Sequence, residues 1–395
     1  MKRLWDKGEP LDQRVLKYTA GEDHVLDARL VSFDVRASIA HAQMLSRQGL
    51  LSDSDFATIE AGLNALADGH AAGEWEISLE DEDCHTALER RLTDAIGEAG
   101  KRVHLGRSRN DQVLGALRLY LLDATSELQS AAQNAATALR DLAARQGEIV
   151  LPGYTHLQHG MPSSVQLWAE GFASELDDDA EGLAAACRRI SKNPLGSAAG
   201  YGTPGLNIDR EQTRAALGFN VVHNPVTAVQ LSRGKAESGL VFELVLLMQD
   251  LGKLAADLLL FYTQEFAYVT LPDNMTTGSS IMPQKRNPDV LELVRGATGT
   301  VNAALDEILG VCTKLSSGYQ RDLQRIKPPL FRAIDTAAAS VEIMAILIQD
   351  IHFVPDNIKL DASIHAAEEA NLLVTSEGIS FREAYQRIAG KLANK

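Results

Sequence analysis

At 395 residues, with 45% hydrophobic and 23% charged side chains, the chain has the make-up of a globular protein with room for two or three domains. Its 38 Lys and Arg against 53 Asp and Glu leave a formal charge of −15 at pH 7. So acidic a chain is a poor partner for nucleic acid or an anionic membrane surface, and any site for an anion must bring its own cations.

Cys84, Cys187 and Cys312 are odd in number, far apart and without CxxC spacing. They suggest neither a disulfide framework nor a zinc site, but free thiols in a reducing cytoplasm. Met1–Pro10 is polar, with Trp5 its only large aromatic, and lacks signal-peptide character. The most apolar runs, 240–248 and 254–262, are short and carry Glu243 and Asp257, so no membrane span is expected.

Along the chain, 30–49 and 52–69 read as helices, with Ser52 or Asp53 capping the second. The acidic run Glu80-Asp81-Glu82-Asp83 reads, for Glu80 to Glu82, as a solvated face. From 111 to 148 there is no proline, and apolar residues from Leu117 through Leu121, Leu128 and Ala135 to Leu142 alternate in steps of four and three. That spacing is a heptad seam on a helix of roughly 55 Å. A second seam, within about 228–266, runs from Leu240 through Leu247 and Leu254 to Phe261, and its flanking apolar residues imply burial on more than one side.

Proline-free segments at 163–193, 290–318 and 331–351 bring the long helices to five. Strand-like alternation is nearly absent, and 152–162 and 193–225 read as Gly/Pro-rich connections of the kind that carry chemistry. The fold class is all-α: an elongated central helical bundle over 106–352, flanked by small helical domains at 1–105 and 353–395. The apolar seams exceed the needs of one subunit, so the bundles are expected to pack into an oligomer.

Three polar stretches fall near predicted helix starts, where free N–H groups favour anions. They are Gly106-Arg107-Ser108-Arg109-Asn110-Asp111-Gln112, Gly153-Tyr154-Thr155-His156-Leu157-Gln158, and Thr277 to Asp289. In the third, Gly278 frees the backbone, Asn287 suits an N-cap and Pro288 the first helical position. Each has a plainer reading: capping residues beside a solvated Arg pair, a structurally bonded histidine, a mobile surface loop.

Gly278-Ser279-Ser280-Ile281-Met282-Pro283-Gln284-Lys285-Arg286-Asn287-Pro288 resembles the signature of the fumarase/aspartase superfamily. Taken with GRSRNDQV and YTHLQ, it resembles the argininosuccinate lyase family over about 81–330. The resemblance implies a homotetramer around a helical core, with active sites shared between subunits and no metal or organic cofactor. It implies reversible cleavage of argininosuccinate to arginine and fumarate, a step of arginine biosynthesis. It also implies Ser279 as the base, Lys285 and Asn287 as stabilisers of the aci-carboxylate, His156 as proton donor to the leaving guanidine, and Glu292 as the carboxylate orienting that histidine.

Substrate contacts implied in the same way are Ser108, Arg109, Asn110 and Thr155. Asp83 and His85 match an Asp-x-His-Thr element, and Tyr319, Gln324 and Lys327 match Tyr-x-x-Asp-Leu-Gln-x-x-Lys. Two departures stand out. Tyr18-Thr19-Ala20-Gly21-Glu22-Asp23 replaces a Phe-Asn-x-Ser-type element, and the C-terminal domain is expected to be abbreviated after Phe381-Arg382-Glu383-Ala384. Alternatives are a lyase for another succinyl substrate, such as adenylosuccinate, or a non-catalytic, crystallin-like structural protein.

Overall fold

The computed structural model describes residues 12–393, so the polar Met1–Pro10 segment lies outside it. The chain is all-α, with short two-stranded ribbons among its described residues. Near the N-terminus, helices Val31–Arg47, Asp53–Ala71 and Cys84–Ile96 pack on one another. Ser52 caps the second, its hydroxyl accepting from the Asp55 amide at 3.1 Å.

Five long helices follow, at Arg109–Gln146, Val165–Ile190, Lys235–Tyr262, Asp289–Cys312 and Lys327–Asp350. The seam positions Leu117, Leu121, Leu128, Ala135 and Leu142 are buried, as are Leu240, Leu247, Leu254 and Phe261. The heptad spacing therefore marks the inward stripes. The third long helix begins at Lys235 rather than near 228, because Gly234 takes φ +85 and breaks it from a short helix at Val226–Leu231. The fifth begins earlier than expected: Pro328 and Pro329 sit in its first turn, where no N–H is needed.

The stretch 152–162, expected as an irregular connection, is a β-hairpin of Val150–Thr155 with Gln158–Ser164. Pro152 and Pro162 face each other in it. A two-stranded ribbon consists only of edges, so prolines that would disqualify a central strand are tolerated.

The chain divides into two compact units, one drawn from Met1–Glu127, Gly182–Leu244 and Val301–Asp335, the other from Leu128–Glu181, Val245–Thr300 and Thr336–Lys395. In the first, Tyr120 stands edge-on between Phe33 and Phe331, while Ala37, Leu119, Leu195 and Phe219 form part of a buried cluster. In the second, the Trp168 indole donates to Asp257 at 2.9 Å amid Phe172, Phe261 and Phe353. Helices Ala366–Glu377 and Phe381–Ala393 enclose a small core of Ala370, Ala384 and Ile388.

Candidate active site

In the first unit, the helix Arg109–Gln146 opens with a capping box. The Ser108 hydroxyl accepts from the Asn110 amide at 3.3 Å, and Asp111 Oδ1 accepts from the Ser108 amide at 2.9 Å. The other oxygen of Asp111 accepts from the amides of Gly196 and Ala198, at 3.0 and 2.8 Å. One buried carboxylate thus ties the glycine-rich turn after Asn193 to the helix start. Burial pushes its pKa up to about 6, against the pull of those three amide donors.

This end of the helix borders a cavity of about 170 Å³. Of the residues that the motifs single out, Asp83, Arg109, Asn110, Tyr319, Gln324 and Lys327 line it together. Asp83 is the N-cap of Cys84–Ile96, accepting from the Thr86 amide and hydroxyl at 2.8 Å each, and it pairs with Arg109 at 3.4 Å. Arg109 also donates to the Thr86 hydroxyl. Gln324 donates to the carbonyls of Thr19 and Ala20, at 2.9 and 3.2 Å, and so pins the end of the Gln13–Ala20 helix at the cavity. Lys327 is 4% exposed and sits between Asp27 at 2.7 Å and Asp23 at 2.8 Å. Those two carboxylates overcome the cost of burial and raise the lysine's pKa.

Two motif residues of this unit stand outside this lining. Ser108 caps the helix, its hydroxyl accepting from Asn110 with the O–H left to donate. His85 is buried behind the wall, its Nδ1 2.9 Å from Asp34 Oδ2 and its Nε2 3.7 Å from the Cys84 sulfur. Its bond to Asp34 anchors the helix that carries Asp83. The solvated reading of the acidic run also needs correcting. Asp81 is buried and bonded to Ser78 and Arg90, and Glu82, at φ +68, lines the cavity and pairs with Arg321 at 3.5 Å.

Asp23, Glu82, Arg233 and Arg321 line the cavity without having been singled out. Asp23 lies in the segment that departs from the family pattern; burial lifts its pKa to about 6 although Lys327 opposes the shift. Arg321 lies between two motif positions that were read. Arg233 was hidden inside an expected helix, and Gly234 was the signal that the helix breaks there.

Asp27, Cys84 and His85 bring one potential metal-ligand atom each within 4.8 Å of one another. The Lys327 ammonium already supplies a cation to Asp27 there, and burial pushes the Cys84 thiol well above its ordinary pKa, so it does not offer a thiolate. The donor set suits the ammonium better than a metal ion.

In the second unit, His156 is not near a helix start. It and Leu157 form the two-residue tip of the hairpin, at φ +52 and +58, with Thr155 paired to Gln158. This twist matches the strands but suits Asn-Gly, and a leucine there is strained. Thr155, His156 and Leu157 are all exposed. The turn carries the imidazole out on an exposed tip, at a backbone cost of the kind that collects at functional sites.

The Ser279 loop joins Thr277–Gly278 to Arg286–Asn287, paired antiparallel. Ser279 Oγ accepts from the amides of Met282 and Ile281, at 3.2 and 3.4 Å. Asn287 does not cap the following helix. Its side-chain amide donates across the ribbon to Thr277 Oγ1 and the Gly278 carbonyl, at 3.4 Å each, and the Pro288 carbonyl accepts from Leu291 and Glu292 instead. The side chains of Lys285 and Glu292 are exposed.

A family model described as "Lyase" matches residues 10–303. Among solved structures, that of an EDDS lyase in complex with formate superimposes with a TM-score of 0.81 at 24% identity, covering 96% of this chain and 75% of that one. The helical bundle is thus that of the lyase class. Argininosuccinate lyase of Sorangium cellulosum is 44% identical over 395 residues, 99% of this chain and 91% of the relative. That of Thermotoga neapolitana is 39% identical over 393 residues, 98% of each. The chain belongs to the argininosuccinate lyase family.

Proposed function

We propose that the chain catalyses reversible β-elimination of argininosuccinate to arginine and fumarate, and that it works as a cytoplasmic homotetramer with active sites shared between subunits. The observation that carries this reading is 44% identity, over nearly the whole chain, to a relative named for that activity. The cavity supports it: four cations, three acids, two amides and a phenol are gathered in a protein of charge −15, a mixture suited to a zwitterionic amino-acid end.

Ser279 is the base that removes the proton beside the departing nitrogen. A serine hydroxyl is a weak base unless its anion is stabilised, and the two amides that donate to Oγ are aimed to do so. Lys285 and Asn287 take up the charge of the aci-carboxylate, and His156, oriented by Glu292, protonates the leaving guanidine. Thr155, Ser108, Arg109 and Asn110 position the substrate with Asp83, Tyr319, Gln324 and Lys327. His85 acts indirectly, through the helix that it anchors.

We read three domains at 1–105, 106–352 and 353–395. The separate small core of Ala370, Ala384 and Ile388 supports the last division. Leu167, Phe242, Leu293, Leu309 and Ile346 are exposed apolar side chains on the long helices, which supports assembly. Light scattering tests the tetramer, and a monomer would overturn that part. Fumarate absorbance with argininosuccinate as substrate tests the reaction. Release by the wild type, lost in a Ser279→Ala variant of unchanged assembly, is expected; undiminished release by that variant would remove Ser279 from its role.

A further inference from the structure

The cavity holds four cations, and three have their partners. Arg109 is bonded to Asp83 and Thr86, Arg321 to Glu82 and the Thr19 carbonyl, and Lys327 to Asp23 and Asp27. Arg233 is different. It is 7% exposed, and its Nε and Nη1 have no acceptor. Glu237, one helical turn on, comes only to 3.8 Å of Nε, beyond hydrogen-bond reach, and its own Oε1 is unpartnered. The Tyr319 ring lies on another side, its centroid 5.9 Å from the guanidinium carbon.

Buried N–H groups of a cation without acceptors are costly, and folded proteins rarely keep them without a use. This chain holds the group in place by a turn that only glycine allows. Gly234 has φ +85, and a Cβ there would stand 2.2 Å from the Cys312 sulfur. The guanidinium is therefore presented to the cavity by the backbone, with donors on a fork that fits a carboxylate.

We propose that Arg233 anchors the α-carboxylate of the amino-acid end of the substrate. Asp23, Glu82 and Asp83, which share the cavity, offer carboxylates to the ammonium that stands beside that carboxylate. The choice of the amino-acid end rests on the lyase reading above, whereas the need for a carboxylate at Arg233 does not. Arg233 is in this way a specificity-determining residue: it separates an amino acid from the amine of the same side chain.

The test compares L-arginine with agmatine, which lacks only the carboxylate, each with fumarate in the synthetic direction. Wild type is expected to favour arginine strongly, because a site built around a charged acceptor leaves buried N–H donors without a partner when that acceptor is missing. Arg233→Gln is expected to raise KM for arginine by about 10²-fold, while KM for fumarate and the rate with agmatine move by less than about twofold. Arg233→Lys keeps the charge without the fork and is expected to fall between the two. Equal losses with arginine and agmatine, or a change in KM for fumarate alone, would overturn the proposal, since a structural arginine acts on both amines alike.

If the wild type forms no product, the lyase reading fails. Calorimetry with arginine and agmatine then decides on Arg233 by itself. Tighter binding of arginine, abolished in Arg233→Gln and partly kept in Arg233→Lys, upholds the anchor; no preference in the wild type, or no binding of either, refutes it.

Discussion

Nδ1 of His85 lies 2.9 Å from Oδ2 of Asp34, and both side chains are sealed from solvent. Burial favours the neutral imidazole, but the charge and hydrogen bond of Asp34, with the charges of Asp83 and Asp27, together outweigh it and raise the His85 pKa above its ordinary value. Asp34 is in turn held below the carboxylate range, since His85 and Arg107 outweigh the burial that would raise it. The pair's contribution to stability is thus complete near the ordinary histidine pKa. It is lost as pH rises through the raised His85 value, and lost again in acid as Asp34 takes up its proton. Asp34→Asn should cost about 3 kcal/mol near pH 6, and less at alkaline pH, in denaturant unfolding. An equal cost at both would mean that the contact is not ionic.

Lys327 offers a second test, because removing one partner of a buried ion cluster costs more than the cluster itself contributes. Lys327→Met leaves Asp23 and Asp27 facing each other without a cation, a loss of about 3–5 kcal/mol. Adding Asp27→Asn should recover part of this, seen as a double-mutant coupling in urea unfolding. No recovery would show that the ammonium holds the fold by packing alone.

Asp111 predicts a pH slope opposite in sense to that of Asp34. Its folded pKa of about 6 stands above the ordinary carboxylate value of 3.8, so the native state binds the extra proton. Stability from this group is therefore present in acid and falls as pH rises through 6, by up to about 3 kcal/mol between pH 4 and 7. Asp111→Asn, close in shape to the protonated acid, should flatten that part of the profile. A parallel curve would refute the assignment.

Leu157 sits at φ +58 on the hairpin tip and is largely exposed. Leu157→Gly should raise the melting temperature, corresponding to roughly 0.5–1 kcal/mol, because relief of left-handed strain exceeds the added freedom of the unfolded chain. A lower melting temperature would mean that the leucine is held by packing.

Helix content was legible because heptad spacing is a property of a single helix face: Leu117 to Leu142 and Leu240 to Phe261 are the buried stripes. The hairpin was not, since proline and glycine signal breaks, and only pairing across the ribbon shows that they are tolerated. Motif residues of the cavity were found where their chemistry is local, as at Asp83 and Lys327. Asp23, Glu82 and Arg233 were missed for a common reason. Their position follows from turns and from partners distant in sequence, as Asp23 is from Lys327. The acidic run shows the limit: Glu80 is exposed while Asp81 and Glu82 are buried, and nothing in four adjacent acids tells them apart.

The contact between the Gly234 turn and the Cys312 sulfur makes that thiol a gauge. Cys312 is only partly buried, and its sulfur lies where a side chain on residue 234 would have to go. The speed with which a small disulfide reagent colours at Cys312 should therefore track how often the turn opens. A ligand that seats Arg233 should slow that colour change, giving an optical clock for the site that needs no turnover at all.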